Sequence, residues 1–398
     1  MPTRKPQVKR ETTVAKVREG RLKAIEPSAR GRAKHVADAS PVCDPCDGQS
    51  GGDVKTRGLQ PLYVPVVDRD QRPLMPTIPA RARRWIESGK ATPFWKHGVF
   101  CVRLNVEPSD RKTQEVAVGI DPGSKKEGFT VKSEAHTFLN IQADAVTWVK
   151  DAVEVRRSMR RSRRIRNTPC RQPKSNYCID KWLAPSTRAR WGWKLRIAGW
   201  LSKLFLISRF VVEDIKARTT GHRRWDVSFS PLELGKNWFY SELRRIAPVE
   251  TNSGWETKQM RDAAGLKKSG NKMAPVFESH CVDSWVMANS WTGGHIQPDN
   301  KSLMCLAPLR FHRRQLHALQ PSEGGIRRPY GGTRSLGFKR GSLVKHPKHG
   351  KVYIGGTMKD RITLHSLSDG KRLTQLAEPE DCKFLAYNSW RWNLSTES

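Results

Sequence analysis

The stretch Glu115 to Ser133, EVAVGIDPGSKKEGFTVKS, decides the fold. Val116, Val118 and Ile120 alternate with smaller residues, Asp121 follows, and Pro122-Gly123-Ser124 turns the chain before Gly128-Phe129-Thr130-Val131 begins a second run. Alternation with period two on either side of a Pro-Gly pair predicts a strand, a tight turn and a second strand, with Asp121 at the strand tip. A carboxylate fixed there suits a metal ion, and the glycines leave room for a phosphate. The commoner fate of an Asp-Pro-Gly is a turn aspartate bonding its own backbone. Partner carboxylates further along the chain decide between the two.

Downstream, Thr137 to Ile141 reads as a third strand. A helix from Ala145 to Val155 then runs into an arginine block with seven arginines between Arg156 and Arg166. At about 100° per residue, Arg156, Arg157, Arg160, Arg161, Arg163 and Arg164 fall in one arc of roughly 160°. Val155, Ser158, Met159, Ser162 and Ile165 take the other side, and Arg166 closes the block. A merely solvated face would intersperse acids for i,i+4 pairs, and this one has none. Charges so dense repel each other, so a polyphosphate lying along the helix would stabilise it. The helix does not discriminate RNA from DNA.

After a loop with Pro169 and Pro173 and a turn at Trp182 to Ser186, a helix is expected over Arg188 to Ile207, with Trp193, Ile197, Trp200, Leu201 and Leu204 as a core stripe. Ile207 to Glu213, ISRFVVE, repeats the first construction: β-branched residues, then a carboxylate at the tip. A strand-edge salt bridge is the plainer role for Glu213. A helix over Pro231 to Ile246, a strand over Val249 to Asn252 and a basic loop Lys267 to Lys272 lead to a helix from Val276 to Ser290. That helix places His280 and Asp283 three residues apart on one face. Such a pair is ordinarily a surface feature. The order of elements changes the reading: strand, strand, strand, helix, strand, helix, strand, helix is that of an α/β, ribonuclease-H-like core, in which the first strand, the fourth strand and the last helix converge. Asp121, Glu213 and Asp283 stand on those three elements. Three carboxylates around one point need cations, and hard oxygen donors favour Mg²⁺, or Mn²⁺ in its place. Two such ions serve phosphodiester hydrolysis. Asp121, Glu213 and Asp283 are thus the expected metal ligands, with His280 as base or water-positioner.

The composition agrees. Lys and Arg number 73 against 38 Asp and Glu, a formal charge of +35. A field of that strength holds polyanions, with nucleic acid ahead of an anionic membrane. No apolar run approaches eighteen residues, so no membrane span is expected, and no apolar segment follows the basic N-terminus as in a signal peptide. The eight cysteines are scattered and read as reduced thiols of an intracellular protein. Cys43 and Cys46 have CxxC spacing, but no second pair stands at zinc-ribbon distance.

Outside the core, residues 1–58 read as a disordered basic arm, with Thr12 to Ile25 able to become helical on RNA. A small β-α-β unit follows: a strand at Leu62 to Val67, a basic helix from Pro79 to Ser88 capped by Gly89, and a strand at Val99 to Asn105. At about 45 residues it needs another surface to pack on. Residues 296–335 read as an irregular basic linker carrying His312, Arg313 and Arg314. From about Leu336, short strands with turns at His349-Gly350 and Asp369-Gly370 predict a small SH3-like barrel closed by Phe384 to Trp392.

Five of these segments resemble a known family. GIDPGSKKEGF, FVVEDIKA and HCVDSWVMA resemble the three split RuvC motifs of the IscB/IsrB proteins, transposon-encoded relatives of the CRISPR-associated type II effector nucleases. VPVVDRDQRPLMPTIPARARRWIESGKA is similar to their PLMP segment, RRSMRRSRRIR to their arginine-rich bridge helix, and LVKHPKHGKVYIGGTMKDRITLHS to the C-terminal domain that reads the motif flanking the DNA target. The resemblance implies a PLMP segment at 59–108, RuvC parts at 109–155, 173–220 and 221–295, a bridge helix at 156–172, a linker at 296–335 and a motif-reading barrel at 336–398. It also implies an RNA-guided DNA endonuclease: a monomer in complex with a structured guide RNA (omega RNA), acting on double-stranded DNA in the prokaryotic cytoplasm. Base pairing would read the sequence while the protein reads a short flanking motif. Between Glu213 and Asp283 only 69 residues intervene, with His222 the one histidine before His280, too little for the HNH nuclease that IscB carries there. The implied form is therefore the IsrB-like one, a nickase of the displaced strand. A guided binder that does not cut, a junction resolvase and a general RNA chaperone are the rival readings.

Overall fold

A computed structural model describes residues 63–108, 112–167, 183–216, 230–309, 334–358, 360–387 and 390–395. The expectations for the N-terminal arm and its Cys43 and Cys46, for the Pro169/Pro173 loop, for His222 and for His312, Arg313 and Arg314 lie outside the described residues.

The first unit is richer than a β-α-β. Strands β1 (Val64–Val67) and β2 (Pro73–Thr77), helix α1 (Pro79–Glu87), and strands β3 (Ala91–Lys96) and β4 (Val99–Leu104) form a sheet of order β2-β1-β4-β3. Both strands missing from the sequence reading carry proline, and both are edge strands, where the lost N–H needs no ladder partner. Pro79 occupies the first turn of α1, and Gly89, at φ +72°, follows its end. Val64, Val66, Ala82, Ala91, Val102 and Leu104 make a small core of their own. Val99, Cys101, Tyr63, Met75 and Phe94 pack into the main core, which supplies the second surface that so small a unit requires.

The main sheet contains β5 (Val116–Asp121), β6 (Lys126–Ser133), β7 (Thr137–Asp144), then helices α2 (Trp148–Ile165) and α3 (Pro185–Leu201), strand β8 (Arg209–Asp214), helix α4 (Pro231–Leu243), strand β9 (Val249–Ser253), helices α5 (Gly254–Ala263) and α6 (Phe277–Thr292), and strand β10 (Leu303–Pro308). The fold is mixed α/β. The sheet holds the order β7-β6-β5-β8-β9, with β6 antiparallel to its neighbours and β5, β8 and β9 parallel, and this arrangement brings the tips of β5 and β8 side by side. Alternation sends Val116, Val118 and Ile120 into the core beneath α3 and α4, with Trp193, Ile197, Trp200, Leu201 and Phe239. The other face, with Gly119, Gly128 and Thr130, lies against α6.

Helix boundaries move. The helix expected from Ala145 begins at Trp148 and runs through the arginine block to Ile165 as α2. Helix α3 begins at Pro185, which suits a first turn, and gives way at Ser202 to tighter turns in which Leu204 N donates to Leu201 O at 2.9 Å.

The tail contributes a hairpin of β11 (Arg334–Ser335) and β12 (Phe338–Lys339), then β13 (Ser342–His346), β14 (Gly350–Met358), β15 (Arg361–His365), β16 (Arg372–Ala377), β17 (Lys383–Tyr387) and β18 (Trp390–Ser395). Strands β13 to β17 make an antiparallel sheet of order β16-β15-β14-β13-β17 over Val344, Val352, Ile354, Ile362 and Leu364. The expected closure by Phe384 to Trp392 is corrected: the segment divides. β17 joins the tail sheet, while β18 pairs with β10 at the edge of the main sheet. Trp390 drives this, buried against Trp193, Trp200 and His97 with ring centroids 4.5 to 5.6 Å away. The linker 296–335 is corrected too, because its LMCLAP run is β10, parallel to β7 and covered on both faces. Among the described residues no helix is long and apolar enough to cross a membrane.

Candidate active site

Strand alternation and three missing side chains build the site. Asp121 shares the α6-facing side of β5 with Gly119 and pairs across the ladder with Gly128. A Cβ on Gly119 would stand 1.8 Å from the Ser284 carbonyl oxygen, and one on Gly128 would stand 2.4 Å from that of His280. Glycine there lets α6 lie directly on the β5–β6 hairpin, which carries His280 and Asp283 to the strand tip. Thr130 anchors the approach, with its hydroxyl 2.8 Å from Ser284 Oγ and 3.0 Å from Asn140 Oδ1. Strand β8 runs parallel beside β5, with Ile120 level with Val212, so Glu213 emerges next to Asp121. The carboxyl ends of parallel strands are where open α/β sheets bind ligands. Gly254, at the start of α5, leaves space for Glu213, whose Oε1 a Cβ would approach to 2.8 Å.

The four sequence-derived residues meet here. Asp121 Oδ2 lies 3.1 Å from His280 Nδ1. On the other side of the ring, Nε2 donates to the Lys272 carbonyl at 3.0 Å, which orients the imidazole. Glu213 hydrogen-bonds Asp121. Asp283 joins through cations: its two oxygens accept from Arg261 Nη1 of α5 and from Lys268 Nζ, and Lys268 Nζ also stands 4.0 Å from Asp121 Oδ2. Turn bonding is thus not the fate of Asp121, nor is surface exposure that of His280 and Asp283, which are 8% and 2% exposed.

The electrostatics separate the carboxyls. Burial, then the negative charges of Asp121 and Asp283, push Glu213 up to about 8, so it holds a proton at neutral pH. Burial would also raise Asp121, but the His280 hydrogen bond and the Lys268 charge outweigh it and hold Asp121 below the ordinary range. Burial opposes the charge on Lys268, and the surrounding carboxylates more than restore it. One proton and two basic side chains therefore neutralise three clustered acids. That donor set fits divalent hard cations: all-oxygen and anionic, with charge that must be compensated. Asp121, Glu213 and Asp283 are the residues that could hold them.

Three contributors escaped the sequence reading. Arg261 carried no motif signal. Lys268 stood out only as part of a basic loop. Glu127 is fully buried behind the site and paired with Lys194 of α3 at 2.6 Å. Burial raises Glu127 to about 7 despite that partner. Charged residues inside a strand otherwise read as β6 gave no hint that one would be enclosed.

Helix α2 provides a surface of a different kind. Of the block, Arg163 is half-buried and Arg156, Arg157, Arg160, Arg161, Arg164 and Arg166 are exposed, as are Val155, Met159 and Ile165 on the opposite side.

Fold and carboxylates together define a mixed α/β chain with a candidate metal-binding acidic cluster at a strand tip. Residues 64–224 match the family described as RRXRR protein, a span that includes Asp121, the arginine block and Glu213. Among solved structures, similarity is found to T. thermophilus RuvC in complex with a Holliday junction substrate, at 14% identity over 45% of this chain and 97% of that chain, TM-score 0.26. It is also found to the yeast mitochondrial Holliday junction resolvase Ydc2, at 14% identity over 46% of this chain and 80% of that chain, TM-score 0.24. No curated protein matches the chain.

Proposed function

We infer that the protein is a RuvC-type, metal-dependent DNA endonuclease guided by RNA, which nicks the displaced strand beside a short flanking motif. The observation that carries the nuclease is the convergence of Asp121, Glu213, Asp283 and His280 from β5, β8 and α6. The guide rests on the arginine face of α2 and on the IscB/IsrB-like motifs, and the absence of room for an HNH insertion favours a single cut. The tail sheet is the candidate reader of the flanking motif, in the role of the SH3-like barrel of that family.

Asp121, Glu213 and Asp283 would hold two Mg²⁺ or Mn²⁺ ions, which when bound supply Lewis acidity to the scissile phosphodiester. Glu213 would have to be deprotonated to serve as a ligand. The Lys272 carbonyl accepts from His280 Nε2–H and so orients the ring with Nδ1 at Asp121, from where His280 would position the attacking water. Lys268 and Arg261, now on Asp283, are placed to meet the phosphate charge. The α2 arginines hold nucleic-acid backbone without reading bases.

The test is co-expression, sequencing of the RNA that purifies with the protein, and cleavage of strand-labelled target DNA with Mg²⁺. One defined RNA and a single nick in the displaced strand are expected. A defined RNA without a nick would make the protein a guided binder. Cleavage of branched DNA without a defined RNA would make it a resolvase.

A further inference from the structure

A second group of ligand-type side chains sits at the opposite end of the main sheet. The β5–β6 ladder pairs Asp121 with Gly128 at the catalytic end and Val116 with Ser133 at the other, a separation of roughly 17 Å. Past Ser133, the β6–β7 turn presents His136, and the segment after α6 presents His295 and Asp299. One ring nitrogen of each histidine and a carboxylate oxygen of Asp299 lie within 4.8 Å of one another. His136 Nδ1 and Asp299 Oδ2 are 3.5 Å apart, already close to the spacing of about 3.3 Å between two ligands of a tetrahedral ion at 2.0–2.1 Å.

The surroundings resemble the outer shell of a metal site. The Ala135 carbonyl accepts from His295 Nε2 at 2.6 Å, which puts the proton on Nε2 and leaves the Nδ1 lone pair free. Asp299 accepts the Thr137 N–H at 3.0 and 3.2 Å through its two oxygens, which aims the carboxylate. The Tyr63 ring lies against His136 at a tilt of 32°, with centroids 4.9 Å apart. The two segments are clamped independently of any ion. Gly294, at φ +94°, lies so near that a Cβ would stand 1.9 Å from the Glu134 carbonyl oxygen. Buried Lys132 ties Ser133 to Gly293 through both carbonyls. A lone surface ion pair would need neither the second imidazole nor this rigid frame.

We propose that His136, His295 and Asp299 bind a single Zn²⁺-class ion that pins the segment following α6 to the β6–β7 turn, with a water in the fourth position. Two imidazoles and one carboxylate suit a borderline ion, whereas the all-oxygen catalytic cluster suits Mg²⁺. The two sites are thereby chemically distinct, and this one fastens the far end of the helix that carries His280 and Asp283.

The experiment is zinc content by mass spectrometry of the full chain, purified with excess Mg²⁺ to occupy the carboxylate cluster, followed by Co²⁺ substitution and its visible spectrum. One equivalent of zinc is expected in the parent and in Asp121→Ala. It is lost in the His136→Ala/His295→Ala double variant, reduced at least tenfold in affinity in Asp299→Asn, and kept in Cys43→Ser/Cys46→Ser. Zinc should also raise the melting temperature of the parent but not of the double variant. Should the double variant not fold, the Co²⁺ spectrum and X-ray absorption of the parent decide whether imidazoles are bound. A parent without zinc, zinc retained at full affinity by a folded double variant, or loss of zinc only in Cys43→Ser/Cys46→Ser overturns the proposal.

Discussion

Helices α2 and α6 are 18 and 16 residues long, and they have little else in common. In α2 the one buried residue is Val149, and all of its arginines but the half-buried Arg163 are exposed. In α6 eleven residues are buried, including His280 and Asp283. Exposed guanidinium groups keep their charge and act through a field that salt screens. Enclosed carboxyls and imidazoles have their charge set by a few neighbours at hydrogen-bond distance. The proposed polyanion contact thus lies on an exposed helix and the proposed chemistry on a helix that is largely buried.

The sharpest test of that division is Asp121→Ala. It removes one ligand from the enclosed cluster and no phosphate contact. Nicking should fall by three orders of magnitude or more, with nucleic-acid affinity within about twofold of the parent. Normal nicking by this variant would break the site assignment. The complementary change is charge reversal at Arg156, Arg157, Arg160 and Arg161. RNA binding should weaken by orders of magnitude, and the slope of log affinity against log salt should flatten by about 3 or more in filter-binding titrations. An unchanged slope would remove α2 from the interface.

The close seat of α6 predicts a smaller effect. Gly128→Ala puts a methyl 2.4 Å from the His280 carbonyl oxygen, a backbone atom that moves only if the helix does. A stability loss of about 1–3 kcal/mol is expected by chemical denaturation, with a larger fractional loss of nicking. The same change at Gly192, where nothing lies within 4 Å, should cost no stability and supplies the control.

The smallest expected effect is titration of Glu127. Its carboxyl is raised to about 7 in the folded chain from an ordinary 4.5. Between those values the folded state holds the proton that the unfolded state has lost. Stability is therefore full below about 4.5 and falls as pH rises to about 7, by of order 1–3 kcal/mol at most. Glu127→Gln should flatten that fall while still accepting a hydrogen bond from Lys194. A profile unchanged by the substitution would mean that the Glu127–Lys194 pair does not titrate in this window.

Much of the main sheet could be read from the chain because its evidence is local. Val116, Val118 and Ile120 show their periodicity within six residues, and a carboxylate at each of two strand tips stands out against β-branched neighbours. β10 and β18 could not be read this way. LMCLAP is too short to distinguish from a buried piece of helix, and its partners, β7 and β18, are remote in the chain. The tail posed the same difficulty: Phe384 to Trp392 looks like one segment, but Trp390 finds its aromatic partners in α3. In the site, Asp121, Glu213, His280 and Asp283 were visible as types at plausible places. Arg261, Lys268 and Glu127 were not, because a basic residue on a helix or loop has the same local pattern whether it meets solvent or a carboxylate.

By itself the sequence determined the succession of strands β5 to β9 and of helices α2, α3, α4 and α6, the acids on three of these elements, the cationic helix and the bias toward polyanions, all of which follow from side-chain period and net charge. Only the tertiary structure decided which carboxyl keeps its proton, which cations neutralise the others, and where the last strand pairs. Those outcomes depend on burial and on distances between residues remote in the chain, to which local pattern is blind.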